Sequence, residues 1–146
     1  MNELLLVVTI AGERVALPAA AVESVVELDA LTPVPRAAPH VAGLSAQRSR
    51  VLTVIDCMRS LELGDTDCSD GIREAAVVEL GGHHYALIVD LVEDVIEARS
   101  DPLPVRAAMG AGWEWVSQGM VETDDGPLLL VDVAALIAGV NESKAA

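Results

Sequence analysis

Short runs of β-branched and aliphatic residues, separated by glycine, proline and polar clusters, set the pattern of this chain. Leu4 to Ile10 is an apolar run, Ala11-Gly12-Glu13-Arg14 supplies turn chemistry, and Val15-Ala16-Leu17 returns, so the chain opens on a hairpin that Pro18 stops. Between Ala19 and Leu28 the apolar positions fit helical and extended spacing equally, which predicts a helical turn passing into a short strand. Pro33, Pro35 and Pro39 each lack a backbone donor and bias the residue before them toward extended geometry, so the stretch holding them reads as a loop. Val41 to Gln47 and Val51 to Ile55 then flank Arg48-Ser49-Arg50 as a second hairpin, and Met58 to Leu63 fits one helical turn.

The segment GDTDCSDGIRE, dense in Asp, Ser and Gly, is the clearest break in the pattern and falls near residues 64–73. Beyond it, Ala75 to Leu80 and Tyr85 to Val89 flank Gly81-Gly82-His83-His84, and Leu91 to Ala98 reads as a further strand. Val116 to Glu122 and Leu128 to Val131 flank Thr123-Asp124-Asp125-Gly126, another hairpin signal, and alanine-rich Val133 to Gly139 predicts a short closing helix with Gly139 near its C-cap. Short strands at close spacing favour barrels over a parallel sheet. Two such blocks point to two small barrels sharing one interface, with a single sandwich as the alternative.

At 146 residues the chain can bury roughly 68–70% of the surface its unfolded form exposes, so it needs no stapling. The composition is 52% hydrophobic but 2% aromatic with no Phe, so Val, Leu, Ile and Ala must build the core. Mean hydropathy is +0.43, yet no run reaches the roughly 18–20 apolar residues of a spanning helix, and the start MNELLLVVTI lacks a secretory signal's basic flank and cleavage site. A cytoplasmic protein without membrane insertion is expected, with Cys57 and Cys68 as reduced thiols. The net charge of −14 would repel a phosphate backbone, which argues against nucleic acid.

No nucleophile stands beside a base, and no phosphate-cradling glycine cluster or metal-ligand spacing appears. The loop from Asp65 fails the calcium pattern, with Asp70 at its sixth position and Ala76 at its twelfth. His83 and His84, adjacent in an expected strand turn, point to opposite faces and are poorly placed to share a metal. The expected protein has no cofactor and no metal. Trp113 and Trp115 read as loop anchors on the core rather than as a binding hot spot.

The order of several short elements resembles the CheW-like domain family of bacterial chemotaxis. The elements are Gly12-Glu13-Arg14, Val22, Leu31-Thr32-Pro33-Val34-Pro35, Val41-Ala42-Gly43, Arg48, Val54-Ile55-Asp56, Ile88-Val89-Asp90 with Val92 and Val95, Gly119, and Leu129-Leu130-Val131-Asp132 with Leu136. The resemblance implies an all-β fold with short helices, built as two SH3-like five-stranded barrels packed over an apolar seam, and a single domain over residues 1–146. It implies a non-enzymatic adaptor, whose partners are the cytoplasmic tip of a chemoreceptor and the regulatory domain of a CheA-type histidine kinase. On that basis Val22, Ser24, Arg48 and Val51 are candidate receptor contacts, and Val41, Gly43 and Leu44 candidate kinase contacts. Recruitment to membrane-associated receptor arrays goes with this reading.

Two departures stand out. The family's Asn-Leu-Arg-Gly turn is Ala46-Gln47-Arg48-Ser49 here, and its Val-x-Glu-Ile motif is Val22-Glu23-Ser24-Val25, so the usual carboxylate partner of the motif arginine has become Ser24. Either Glu23 or Glu27 reaches Arg48, or Arg48 faces a partner's acid. These departures suit a CheW-like scaffold of another pathway, such as pilus motility or gene regulation. A competing reading from another class is a small acidic β-barrel enzyme using Asp56, Asp90 and a histidine.

Overall fold

The computed structural model describes residues 3–28, 31–47, 50–64, 73–105 and 110–139. Arg48, Ser49 and the acidic loop from Asp65 to Asp70 lie outside the described residues.

Among the described residues ten strands form two five-stranded sheets. The first contains β1 (Leu4–Ile10), β2 (Glu13–Pro18), β8 (Leu91–Glu97), β9 (Ser117–Thr123) and β10 (Gly126–Val131), in the order β8-β1-β2-β10-β9. The second contains β3 (Val22–Leu28), β4 (Val41–Gln47), β5 (Arg50–Asp56), β6 (Arg73–Leu80) and β7 (His83–Val89), in the order β3-β6-β7-β5-β4. Among the described residues the helical elements are a 3-10 turn at Ala19–Ala21 ahead of β3 and three short α-helices, α1 (Cys57–Ser60), α2 (Ala111–Val116) and α3 (Val133–Ala138).

The uninterrupted apolar runs follow from burial on both strand faces. Along β1, Leu5 and Val7 point into the first barrel, whereas Leu6, Val8 and Ile10 join a second cluster shared by both barrels. β6 and β7 behave likewise: Ala75, Val77, Ala86 and Ile88 fill the second barrel, and Ala76, Val78, Leu87 and Val89 face the shared seam. A strand buried on one side only would have carried polar residues at alternate positions. β3 and β8, which lie at sheet edges, are mostly exposed and carry the polar residues Glu23, Ser24 and Glu27 and Glu93, Asp94 and Glu97.

Each barrel closes by the same device. Thr32 and Leu44 exchange backbone hydrogen bonds of 2.9 and 2.8 Å, and Leu103 and Met120 exchange two of 2.8 Å. In each case the strand bends past the loop at a glycine: a Cβ on Gly43 would lie 2.7 Å from the Thr32 carbonyl oxygen, and one on Gly119 2.7 Å from that of Leu103. Both glycines have positive φ, so they serve the backbone twice over.

The two barrels are not two consecutive stretches of chain. The elements flanking the acidic connector, β5 and β6, belong to the same sheet, and the chain passes between sheets after β2 and after β7. The hairpin β1–β2 joins β8–β10, and the hairpin β6–β7 joins β3–β5. The connector thus separates two copies of one pattern, hairpin, three strands and helix, that have exchanged hairpins. The sequence carries the same repeat: Val7-Val8, Gly12, Ala16-Leu17, Val22-Glu23, Val25 and Glu27 return in constant register as Val77-Val78, Gly82, Ala86-Leu87, Val92-Glu93, Val95 and Glu97.

Two local expectations are corrected and one element is added. The helical turn expected over Met58 to Leu63 starts and ends earlier, at Cys57–Ser60, because the Asp56 carboxylate caps it by accepting from the Arg59 N–H at 3.3 Å. His83 and His84 belong to β7; Gly81-Gly82 alone makes the turn, with φ of 60° and 82°. Helix α2 was not foreseen.

Candidate partner-binding surface

The candidate residues that the structure describes all belong to the second barrel, on β3, β4 and β5. Ser24 is exposed on β3 and lines a groove with Val25, Val26, Glu27, Arg50, Leu52 and Val77. Val51, next to two of those residues on β5, is 62% exposed, the most open of the large apolar side chains among the described residues. Burying such a side chain against a partner would contribute roughly 1.5–3 kcal/mol. Val22 and Val41 are half-buried and pack against the shared core, so part of each is committed to the fold. Gly43 is buried and Leu44 half-buried, and both stand where β4 bridges to Thr32. Ser24 therefore joins the groove, Val51 stands on the other face of β5 from the groove-lining Arg50 and Leu52, and Val22, Val41 and Gly43 have structural tasks as well. The position of Arg48 lies outside the described residues.

Sequence reasoning weighted Arg48 above Arg50. Among the described residues Arg50 engages an acid of the Val22-Glu23-Ser24-Val25 motif, donating from Nη1 to Glu23 Oε2 at 3.0 Å. His84 Nε2 also lies 3.4 Å from that oxygen, and 3.3 Å from Glu79 Oε2. The matching corner of the first barrel holds Arg14, which donates from Nε to Glu93 at 2.8 Å and from Nη2 to Asp125 at 3.3 Å. The hydrogen bonds to Glu93 and then Asp125 raise the Arg14 pKa further above its ordinary value. These pairings were legible only through the repeat, which sets Arg14 against His84 and Glu93 against Glu23.

The acids of the competing enzymatic reading hold backbone. Asp56 caps α1, and Asp90 accepts from the Gly12 N–H at 3.0 Å at the turn of the opening hairpin. Asp132 caps α3 as Asp56 caps α1, accepting from Ala135 N–H at 3.3 Å. Cys57 is fully buried, and burial, with the nearby charges of Asp56 and Asp90, pushes its thiol far above the ordinary range. Such a thiol stays protonated and unreactive. Both tryptophans act as anchors: Trp113 packs on the shared core, and Trp115 Nε1 donates to the Ala135 carbonyl at 3.0 Å, tying α2 to α3. Among the described residues no helix is long and apolar enough to cross a membrane.

Two fused five-stranded barrels, closed by glycine crossings and carrying an open groove and an exposed valine on the second barrel, define a binding-module class of protein. A family model described as the CheW-like domain matches residues 4–141, and the chain belongs to that family, whose members are non-enzymatic scaffolds of chemotaxis signalling. Among solved structures it is similar to the crystal structure of the scaffolding protein TtCheW from Thermoanaerobacter tengcongensis, with a TM-score of 0.76 and 24% identity. That match covers 97% of this chain and 91% of the other, and shows the shared two-barrel fold. A comparison with curated protein sequences gives no match.

Proposed function

We propose that this protein is a cytoplasmic adaptor coupling chemoreceptor tips to the regulatory domain of a CheA-type histidine kinase. The observation that carries the reading is membership of the CheW-like family over residues 4–141, both barrels included. Receptor contact is assigned to Val22, Ser24, Arg48 and Val51, and kinase contact to Val41, Gly43 and Leu44. The exposure of Ser24 in the groove and of Val51 on the other face of β5 supports the first set. For the second, the Thr32–Leu44 bridge supports a role for Gly43 in shaping the surface through its backbone rather than in touching the partner. Weak single contacts would gain strength by multivalent assembly in a receptor array.

The test is binding of the purified chain to an immobilised receptor-tip fragment and, separately, to an isolated kinase regulatory domain. Val51→Glu should weaken receptor binding about tenfold or more, since burying an unpaired carboxylate costs over 1.4 kcal/mol, and should leave kinase binding intact. No binding of the folded wild type to either partner at high micromolar concentration would overturn the proposal. Ser24, standing where the family carries glutamate, favours a second reading: an adaptor of a different chemosensory pathway, such as pilus motility or gene regulation. Selective binding to the receptor and kinase of that pathway would decide for it.

A further inference from the structure

We propose that Glu23, Glu79 and His84 form a binding site for a divalent transition cation of the zinc class on the second barrel. The inference stands apart from the adaptor reading. The three side chains come from adjacent strands, β3, β6 and β7. Glu79 and His84 are directly opposed across the β6–β7 ladder, close to the Gly81-Gly82 turn. Glu23 is brought to them by a bulge: Val22 pairs with Val78 and Ser24 with Val77, so Glu23 is the extra residue on β3. Bulges commonly re-aim a side chain in this way.

The spacing is that of a chelate. His84 Nε2 stands 3.4 Å from Glu23 Oε2 and 3.3 Å from Glu79 Oε2, and the three ligand atoms lie within 4.8 Å of one another. An N–H···O hydrogen bond would draw such a pair to about 2.9 Å. A tetrahedral zinc ion, with bonds of about 2.0–2.1 Å to imidazole nitrogen and carboxylate oxygen, holds its donors about 3.3–3.4 Å apart. One imidazole with two carboxylates is a zinc-type donor set, whereas magnesium and calcium take oxygen ligands. His84 is the least exposed of the three, with 19% of its side chain open, so the nitrogen is held in place while the acids stay accessible.

The repeat supplies an independent argument. In the first barrel Arg14, Glu93 and Thr9 occupy the positions that His84, Glu23 and Glu79 occupy in the second. There a permanent cation sits on the acid, with Arg14 Nε 2.8 Å from Glu93 Oε2 and the Thr9 hydroxyl at 3.5 Å from the same oxygen. The second barrel replaces the guanidinium by an imidazole, which offers a lone pair when neutral, and the hydroxyl by another carboxylate. A built-in cation has thus been exchanged for donors that suit an added one. Arg50, 3.0 Å from Glu23 Oε2, is the internal competitor for one ligand oxygen.

The experiment is calorimetric titration of the full chain with Zn2+, with competition by a chromogenic chelator. One ion should bind per chain. His84→Ala should lower the affinity by at least about tenfold, since losing a ligand costs no less than losing an outer-shell partner. Glu79→Gln should weaken binding, His83→Ala should leave it unchanged, and Arg50→Ala should tighten it by freeing Glu23. Affinity should fall as the pH is lowered, because metal ligands must be deprotonated to bind. Zinc should also raise the unfolding midpoint of wild type and not of Glu79→Gln, a readout that holds if His84→Ala folds poorly. Failure of wild type to bind zinc, or wild-type affinity in folded His84→Ala, would overturn the proposal.

Discussion

Replacing Gly112 by alanine sets two effects of opposite sign against each other. Gly112 is a buried residue of α2, and in a helix an Ala for Gly exchange ordinarily stabilises by about 0.8–1 kcal/mol. Here the added Cβ would fall onto the carbonyl oxygen of Leu61, 2.9 Å from its carbon and 3.0 Å from its Cα. Those are backbone atoms of the α1 C-cap, and they have no rotamer to turn aside. Overpacking costs about 1–3 kcal/mol, and a clash with backbone belongs at the upper end, so the net effect is a loss of about 2 kcal/mol. At about 2–4 °C per kcal/mol for a chain near this size, Tm should fall by about 4–8 °C. The assay is thermal unfolding followed by tryptophan fluorescence, since Trp113 and Trp115, the protein's two tryptophans, flank the site. Ala111→Gly at the exposed start of the same helix is the control for propensity alone, with a cost of at most about 1 kcal/mol. A Gly112→Ala protein melting at or above wild type would refute the reasoning, because propensity would then have won.

Further outcomes follow from the caps, an ion pair and the buried thiol. Asp132→Ala removes the side-chain cap of α3 and should cost about 1 kcal/mol in urea unfolding; a midpoint equal to wild type would show the 3.3 Å bond to Ala135 N–H to be idle. Arg99 grips Asp124 through Nε at 3.1 Å and Nη2 at 2.9 Å, and that hydrogen bonding holds the Asp124 carboxyl below its usual pKa. Its folded pKa is depressed, so its contribution is present above the unfolded value near 3.9 and is lost as pH falls through the folded value. Arg99→Ala should move the Asp124 titration upward by NMR and flatten the acid limb of the stability profile; an unmoved titration would contradict the pairing. Cys57 should resist alkylation in the native protein and react on unfolding, as read by site-resolved mass spectrometry, and rapid native labelling at Cys57 would count against its burial.

Local signals carried much of this fold. The opening hairpin, the proline loop, the hairpin β4–β5 and the helix Val133–Ala138 each rest on turn chemistry or periodicity within about ten residues, and they appear where the pattern places them. The exchange of hairpins is non-local, resting on the parallel pairs β2–β10 and β5–β7, which no turn specifies. The segment Ala111–Val116 gave no helical signal because it is short, begins after Gly110 and contains a glycine chosen for close approach. At the candidate surface Val51 and Ser24 are exposed, while the packing of Val22 and Val41 against the seam is visible only once both barrels are assembled. The cluster at His84 escaped notice because the turn was drawn two residues too long, which set both histidines outside the strand.

The exchanged hairpins also govern the order in which the protein can come into being. β1 and β2 leave the ribosome before the other strands, yet their sheet partners β8 and β10 come some seventy residues or more later. The first barrel therefore stays open until β10 has been made, exposing a run such as Leu4–Ile10 in the meantime. The second barrel needs only β3 to β7 and can close earlier, offering its apolar face as a platform on which the waiting strands dock.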